Sequence, residues 1–290
     1  MLPEKISWYP GHMTKAMRTM QEDIKKVDLV IELLDARIVL SSRNPDIDTL
    51  AKNKFRMVLL NKADLADENA TAAWIRCFEA QGISAVALDS RNTKKMAEIK
   101  SRIPVICREK LERDRKKGIL NRPIRAMVAG IPNVGKSTFI NSFAGKASAK
   151  TGNKPGVTRG NQWIRLDKNT ELLDTPGVLW PKFEDPKVGL HLSYIGAIND
   201  DVIDSELLAY ELLRECSVLT PGLFASASGV QDDPDANVLI ERIALKRNLL
   251  KRGGEADRLR ASRAILDDFR SGKYGRLSLE RAEGADGREV

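Results

Sequence analysis

The octapeptide GIPNVGKS at residues 130–137 constrains this chain more than any other stretch. It fits the pattern GxxxxGK[ST], whose backbone N–H groups wrap a phosphate at the start of a helix, so it needs a strand before it and a helix after it. Both neighbours are legible: 123–129 is a short apolar run of strand type, and a helix should begin near Lys136. Gly130 and Gly135 let the backbone approach a phosphate, Lys136 adds a point charge, and the Ser137 hydroxyl suits Mg²⁺. Asn133, Val134 and Thr138 complete the expected nucleotide cradle. A glycine turn with only a structural purpose is the alternative reading.

The apolar runs 28–35 (DLVIELLD), 56–61 (RMVLLN) and 84–88 end on or just before polar residues, as buried parallel strands do. Helix-like stretches lie between them, including 68–81, followed by Gly82 as a C-terminal cap. The alternation predicts an α/β fold, a mostly parallel sheet with helices on both faces. Strand candidates at 161–166 and 171–173 precede DTPG at 174–177. From about residue 186 only helical patterns remain, at 205–215, 236–251 and 255–270, the last two separated by Gly253 and Gly254. The last should bury Leu259, Ile265, Leu266 and Phe269 on one face. The expected division is a P-loop domain over 1–185 and a smaller all-α domain over 186–290, with the final dozen residues frayed.

DTPG supplies a strand-end carboxylate, Asp174, for the Mg²⁺ shell, and Gly177, whose N–H can meet a γ-phosphate. Between the loop and DTPG, Thr158 in KPGVT is the candidate switch threonine that caps Mg²⁺; a β-branched residue after a Pro-Gly turn is its plainer reading. NKAD at 61–64 selects the base. A carboxylate accepts from both N1–H and the 2-amino group of guanine, which adenine lacks, so Asp64 discriminates by leaving the wrong base unpaired. Asn61 should brace the loop and reach N7, Lys62 should lie over the ring, and Ser90 with Arg91 should start the loop facing the guanine carbonyl. The order is inverted relative to Ras-like GTPases, because Asn61 precedes Gly130 by 69 residues. Circular permutation restores the site without moving a strand, and it makes the chain leave the P-loop domain directly after the DTPG switch.

These motifs, with WYPGHMTKA (8–16), DARIVLSSRNP (35–45) and DFRSGKYGRLSLE (268–280), resemble the circularly permuted GTPases of the YlqF type over nearly the whole chain. Val39 departs from the proline expected in that second motif. The resemblance implies a GTP-hydrolysing switch, GTP to GDP, that acts in late maturation of the large ribosomal subunit, its helical domain contacting ribosomal RNA. Val178 occupies the place of the usual water-aligning glutamine, as in hydrophobic-amino-acid-substituted GTPases. His12 is the candidate replacement, since imidazole accepts from water near neutral pH; an RNA or protein contact and a structural hydrogen bond stay open for it. Asn133 resembles the P-loop asparagine that ligates K⁺ in potassium-dependent GTPases, an asparagine chosen for the turn being the other reading.

Composition narrows the partners. Three cysteines without a CxxC pair make zinc or disulfide frameworks poor readings, and no apolar run is long enough to span a bilayer. A cytoplasmic, monomeric protein without a membrane partner is the expectation. The net charge of +8 is concentrated in residues 102–125 and 240–276, each carrying +6. In the second stretch Lys246, Arg247, Lys251, Arg252, Lys273 and Arg276 are the candidate contacts to RNA phosphates, whereas a solvated charged helix is the default for the first. Two rival functions remain: a metabolic P-loop kinase or ATPase, against which the guanine motif speaks, and a GTP-gated RNA-binding or translation regulatory protein in which hydrolysis is incidental.

Overall fold

The computed structural model describes residues 11–145 and 162–282. Two units are present: described residues 11–183 with 280–282 form the first, and 184–279 the second. The first runs through α1 (Gly11–Asp23), β1 (Leu29–Asp35), α2 (Asp46–Leu50), β2 (Phe55–Asn61), α3 (Glu68–Ala80), β3 (Ser84–Ala87), α4 (Met96–Ile106), α5 (Arg108–Lys116), β4 (Ile124–Ala129), α6 (Lys136–Ala144), β5 (Gln162–Arg165) and β6 (Thr170–Asp174). Its strands form one sheet in the order β3-β2-β1-β4-β6-β5, parallel except where β5 meets β6. The α/β, mostly parallel architecture expected from the sequence is thus the one observed.

Central strands are aliphatic because both faces of a parallel sheet are covered, and every residue of β1 is buried. That includes Glu32, which takes Arg56 of β2 as an ion-pair partner at 3.0 Å. Helix α3 starts where the Asp67 carboxylate accepts the Ala70 N–H (2.7 Å), and Gly82 follows it in the left-handed region. Five parallel strands finish on one edge, at Asp35, Asn61, Ala87, Ala129 and Asp174. The chain leaves β4 toward β6 on one side, while β1, β2 and β3 extend on the other. Ligands of open α/β sheets bind at such a reversal, outside the carboxyl ends.

The second unit contains α7 (Pro186–Tyr194), α8 (Ser205–Leu219), α9 (Leu223–Ser228), α10 (Ala236–Lys246) and α11 (Arg258–Ser271). Asp185, Asp204, Asp235 and Asp257 each cap a helix start by accepting a backbone N–H. Leu208, Leu212, Ile240, Ile243, Ile265, Leu266 and Phe269 fill its core. Leu259, expected on the inner face of the last helix, lies at the margin of the apolar stripe and is 38% exposed.

Two further expectations are corrected. The helices expected over 236–251 and 255–270 are shorter, because Asn248 takes a positive φ and residues 249–257 reverse as a hairpin. Lys251 N–H donates to Glu255 O (2.8 Å), Asp257 N–H to Leu249 O (2.8 Å), and Gly253 and Gly254 make the reversal. The tail is not frayed throughout: Ala282 is buried in a cluster with Leu34, Val39, Leu60 and Trp74, and Glu280 is bonded to Leu40 and Trp74 within the first unit. Residues 283–290 lie outside the described region.

Candidate nucleotide site

The phosphate end is built from the β4–α6 junction. Gly135, the residue before α6, has φ +101°, and a Cβ there would run into the Asn61 amide. Lys136 is buried and turns its Nζ onto the loop's own carbonyls, Gly130 O at 2.9 Å and Ile131 O at 2.8 Å. Burial pushes its ammonium down to about 8, against the pull of Asp174. A phosphate reaching this cradle would offer Lys136 an anion in place of two neutral carbonyls. Asn133 adopts a left-handed φ of +57°, and Ser137 and Thr138 sit half-buried in the first turn of α6.

The second strand end closes the phosphate side. Thr175 Oγ1 donates to Val128 O (2.8 Å), and Val178 N–H donates to Gly130 O (3.4 Å), so DTPG is fastened to the P-loop. A Cβ on Gly177 would stand 2.7 Å from Pro132 Cα and 2.8 Å from Lys136 Nζ, so only glycine fits this approach. Val178 is buried, with no group able to direct water. Burial raises the Asp174 carboxyl to about 6 despite the nearby Lys136 charge, and its Oδ1 is buried without a hydrogen-bond partner. An orphaned carboxylate oxygen within charge range of Lys136, the residue before Ser137, is a donor that fits a hard divalent cation such as Mg²⁺.

The base end is assembled from residues far apart in sequence. Asn61, buried at the end of β2, donates from Nδ2 to Val134 O (2.6 Å) and accepts at Oδ1 from Ser90 N–H (3.0 Å) and Ser90 Oγ (2.7 Å). Its amide thus ties the P-loop to the Ser90 loop, and Nδ2 has a second hydrogen beyond the one given to Val134 O. Ser142 of α6 donates to Ser90 O (2.6 Å), adding a second tie. Asp64 pairs with exposed Arg91 through Oδ2 (2.5 Å), while Oδ1 is buried and unpartnered. An unpartnered carboxylate oxygen is what a donor edge such as N1–H and 2-NH₂ of guanine would satisfy.

Sequence reasoning missed what stands behind this end. Lys62, at φ +57°, reaches Asp35 Oδ2 (3.1 Å), and the same carboxylate takes Arg37 through Nε (2.9 Å), Nη2 (2.9 Å) and the backbone N–H (3.1 Å). Burial would raise Asp35, but Arg37 and Lys62 hold it far below the usual carboxylate range. Burial likewise lowers Lys62, with Asp35 opposing. The only signal of this cluster was the motif at 35–45, whose charges could not be paired without the fold.

His12 belongs by its backbone to α1, but its side chain, like Thr158, lies outside the described residues. Of the six cations proposed for RNA, two are neutralised within their own unit: Asp268 pairs with Arg247 (2.6 Å) and Lys273 (2.5 Å). Lys246, Lys251, Arg252 and Arg276 are exposed, with Lys251 and Arg252 at the tip of the 249–257 hairpin. Among the described residues no helix is long and apolar enough to cross a membrane.

Comparison with known proteins agrees with this geometry. The family model described as "50S ribosome-binding GTPase" matches residues 125–210. Ribosome biogenesis GTPase A of Bacillus licheniformis is 45% identical over 96% of this chain and 99% of its own length. The Thermotoga maritima protein of that name is 32% identical over 96% of this chain and 95% of its own. GDP-bound YlqF superposes with a TM-score of 0.66 at 28% identity, covering 92% of this chain and 100% of that one. The GNP-bound YlqF from T. maritima gives 0.65 at 28%, covering 93% and 99%. The chain therefore belongs to the ribosome biogenesis GTPase A family, circularly permuted P-loop GTPases of the YlqF type, and is a GTPase that turns GTP into GDP.

Proposed function

We propose that this GTPase acts in ribosome biogenesis as a switch: its GTP form docks on a precursor of the large ribosomal subunit through ribosomal RNA, late in assembly, and hydrolysis permits release. The observation that carries the reading is a P-loop at the end of β4 and the unpartnered Asp64 carboxylate oxygen just beyond the end of β2, on one sheet edge, in a chain 45% identical to a protein named ribosome biogenesis GTPase A. The exposed Lys246, Lys251, Arg252 and Arg276 suit phosphate tracking without base readout. In the same reading the protein works as a monomer in the cytoplasm, where its ribosomal partner is assembled.

In this reading Asn61 braces the pocket, Asp64 accepts from guanine, Lys62 flanks the ring, and Ser90 and Arg91 form the loop beyond the base. The backbone from Asn133 to Thr138 and Gly177 donate to phosphate oxygens, and Lys136 moves from its carbonyls to the transferring group as charge grows there. Ser137, Asp174 and Thr158 would hold Mg²⁺, which when bound neutralises phosphate charge. Asn133 would contribute to a K⁺ site. With Val178 apolar, water must be aligned from elsewhere; His12 is assigned that part, and slow turnover until a ribosomal partner binds is the consequence.

Depletion followed by ribosome profiling tests the role. Accumulation of immature large subunits is expected. Normal subunits with altered translation would overturn assembly in favour of a GTP-gated translation regulator.

A further inference from the structure

The tail that leaves the helical unit ends in a side chain built into the first unit. Both oxygens of Glu280 are engaged: Oε2 accepts Leu40 N–H (2.6 Å), both accept Ser41 N–H (3.2 Å each), and Oε1 accepts the Ser41 hydroxyl in a short bond. Its backbone carbonyl accepts Trp74 Nε1–H (3.4 Å), and Ala282 is buried two residues on. A carboxylate facing two successive backbone N–H groups and a hydroxyl fixes a loop strongly, because its acceptor is charged.

The fastened loop leads to the base end by consecutive bonds. Ser42 Oγ donates to Val39 O (3.2 Å) and accepts the Asp35 N–H (3.0 Å). Asp35 holds Arg37 and Lys62. Lys62 O accepts Leu65 N–H (2.9 Å), closing the turn that carries Asp64, and Ala63 N–H donates to Leu88 O (3.1 Å). We propose that Glu280 is a positioning residue for guanine recognition: it clamps residues 40–41, and through Asp35 and Lys62 it sets the angle at which Asp64 meets the base. The inference rests on this pocket binding guanine nucleotide and adds a residue from the opposite end of the chain to its specificity.

The test is GDP and IDP binding to the full chain, with steady-state GTP turnover, for wild type, Glu280→Gln and Ser41→Ala. IDP lacks the 2-amino group from which Asp64 would accept a hydrogen bond. Glu280→Gln keeps the side chain's size and the Trp74 bond but presents an amide donor to backbone donors. GDP affinity should fall about tenfold, the scale of a lost charge-assisted hydrogen bond. The GDP-over-IDP preference should shrink about threefold, while kcat at saturating GTP stays within about twofold. Ser41→Ala should give a smaller loss in the same direction, and the double variant should be no worse than Glu280→Gln, as expected of coupled neighbours. Unchanged affinity and preference in folded Glu280→Gln would overturn the proposal. So would a fall in kcat with the GDP-over-IDP preference intact, and Ser41→Ala carries the same test should Glu280→Gln not fold. A wild-type chain that binds no guanine nucleotide would instead remove the reading beneath it.

Discussion

The two ends of the nucleotide site are made in opposite ways. The phosphate end comes from two contiguous stretches, 130–138 and 174–178, shaped by glycines and held by backbone hydrogen bonds such as Val178 N–H to Gly130 O. The base end draws on Asp35, Asn61, Asp64, Ser90 and Glu280, held by a buried ion cluster and by a side-chain amide that reaches across 73 positions. A contiguous loop specifies its own shape, so it needs little from the rest of the fold. A dispersed end inherits its precision from tertiary packing, so substitutions at a distance should reach it.

The largest effect is expected at Lys136. Lys136→Ala should lower GTP turnover about 10³-fold, the scale of removing a preorganised charge from a transition state. The fold should survive, since the change also removes a buried cation; a collapsed melting transition would mean the phosphate end is not self-contained. Asp35→Asn is the opposite probe. It leaves Arg37 buried without its counter-ion and should cost about 3 kcal/mol of stability, measured by urea unfolding. The sign with pH follows from the Asp35 carboxyl lying below its ordinary value of 3.8 in the folded chain. Its stabilisation is complete above that value and is lost as pH falls toward the folded value, because the unfolded chain then binds more protons. The variant should lack this acid limb.

Asp64→Asn should reverse base preference, lowering GDP affinity about 10²-fold and improving xanthosine diphosphate, whose C2 carbonyl accepts from the new amide. Competition binding reads both. The smallest effect is expected outside the site. Replacing Lys246, Lys251 and Arg252 by Ala should flatten the log–log salt dependence of ribosomal-particle binding by about 2. Arg247→Ala should change that slope little, since Asp268 already pairs with it.

What could be read from sequence follows the same division. The sheet, the P-loop helix and the DTPG strand end were legible because each is announced by adjacent residues, as in DLVIELLD running straight into β1. The bracing of Asn61 was legible in part, since NKAD fixes the residue but not its partners Val134 and Ser90. The hairpin at 249–257 was not, because a leucine-rich stretch continues the helical pattern until Asn248 turns left-handed. Glu280 was not either: one carboxylate in a glycine- and charge-rich tail carries no local mark of a partner 240 positions earlier. Thr158 and the His12 side chain lie outside the described residues, so their assignments still rest on sequence.

The most direct measurement is steady-state GTP hydrolysis by the full chain, with and without large ribosomal subunits, in K⁺ and in Na⁺ buffers. Slow turnover alone, strong stimulation by the subunit, and higher rates in K⁺ than in Na⁺ are expected. Normal GTP binding with no stimulation by subunits and equal rates in the two salts would contradict the proposed function.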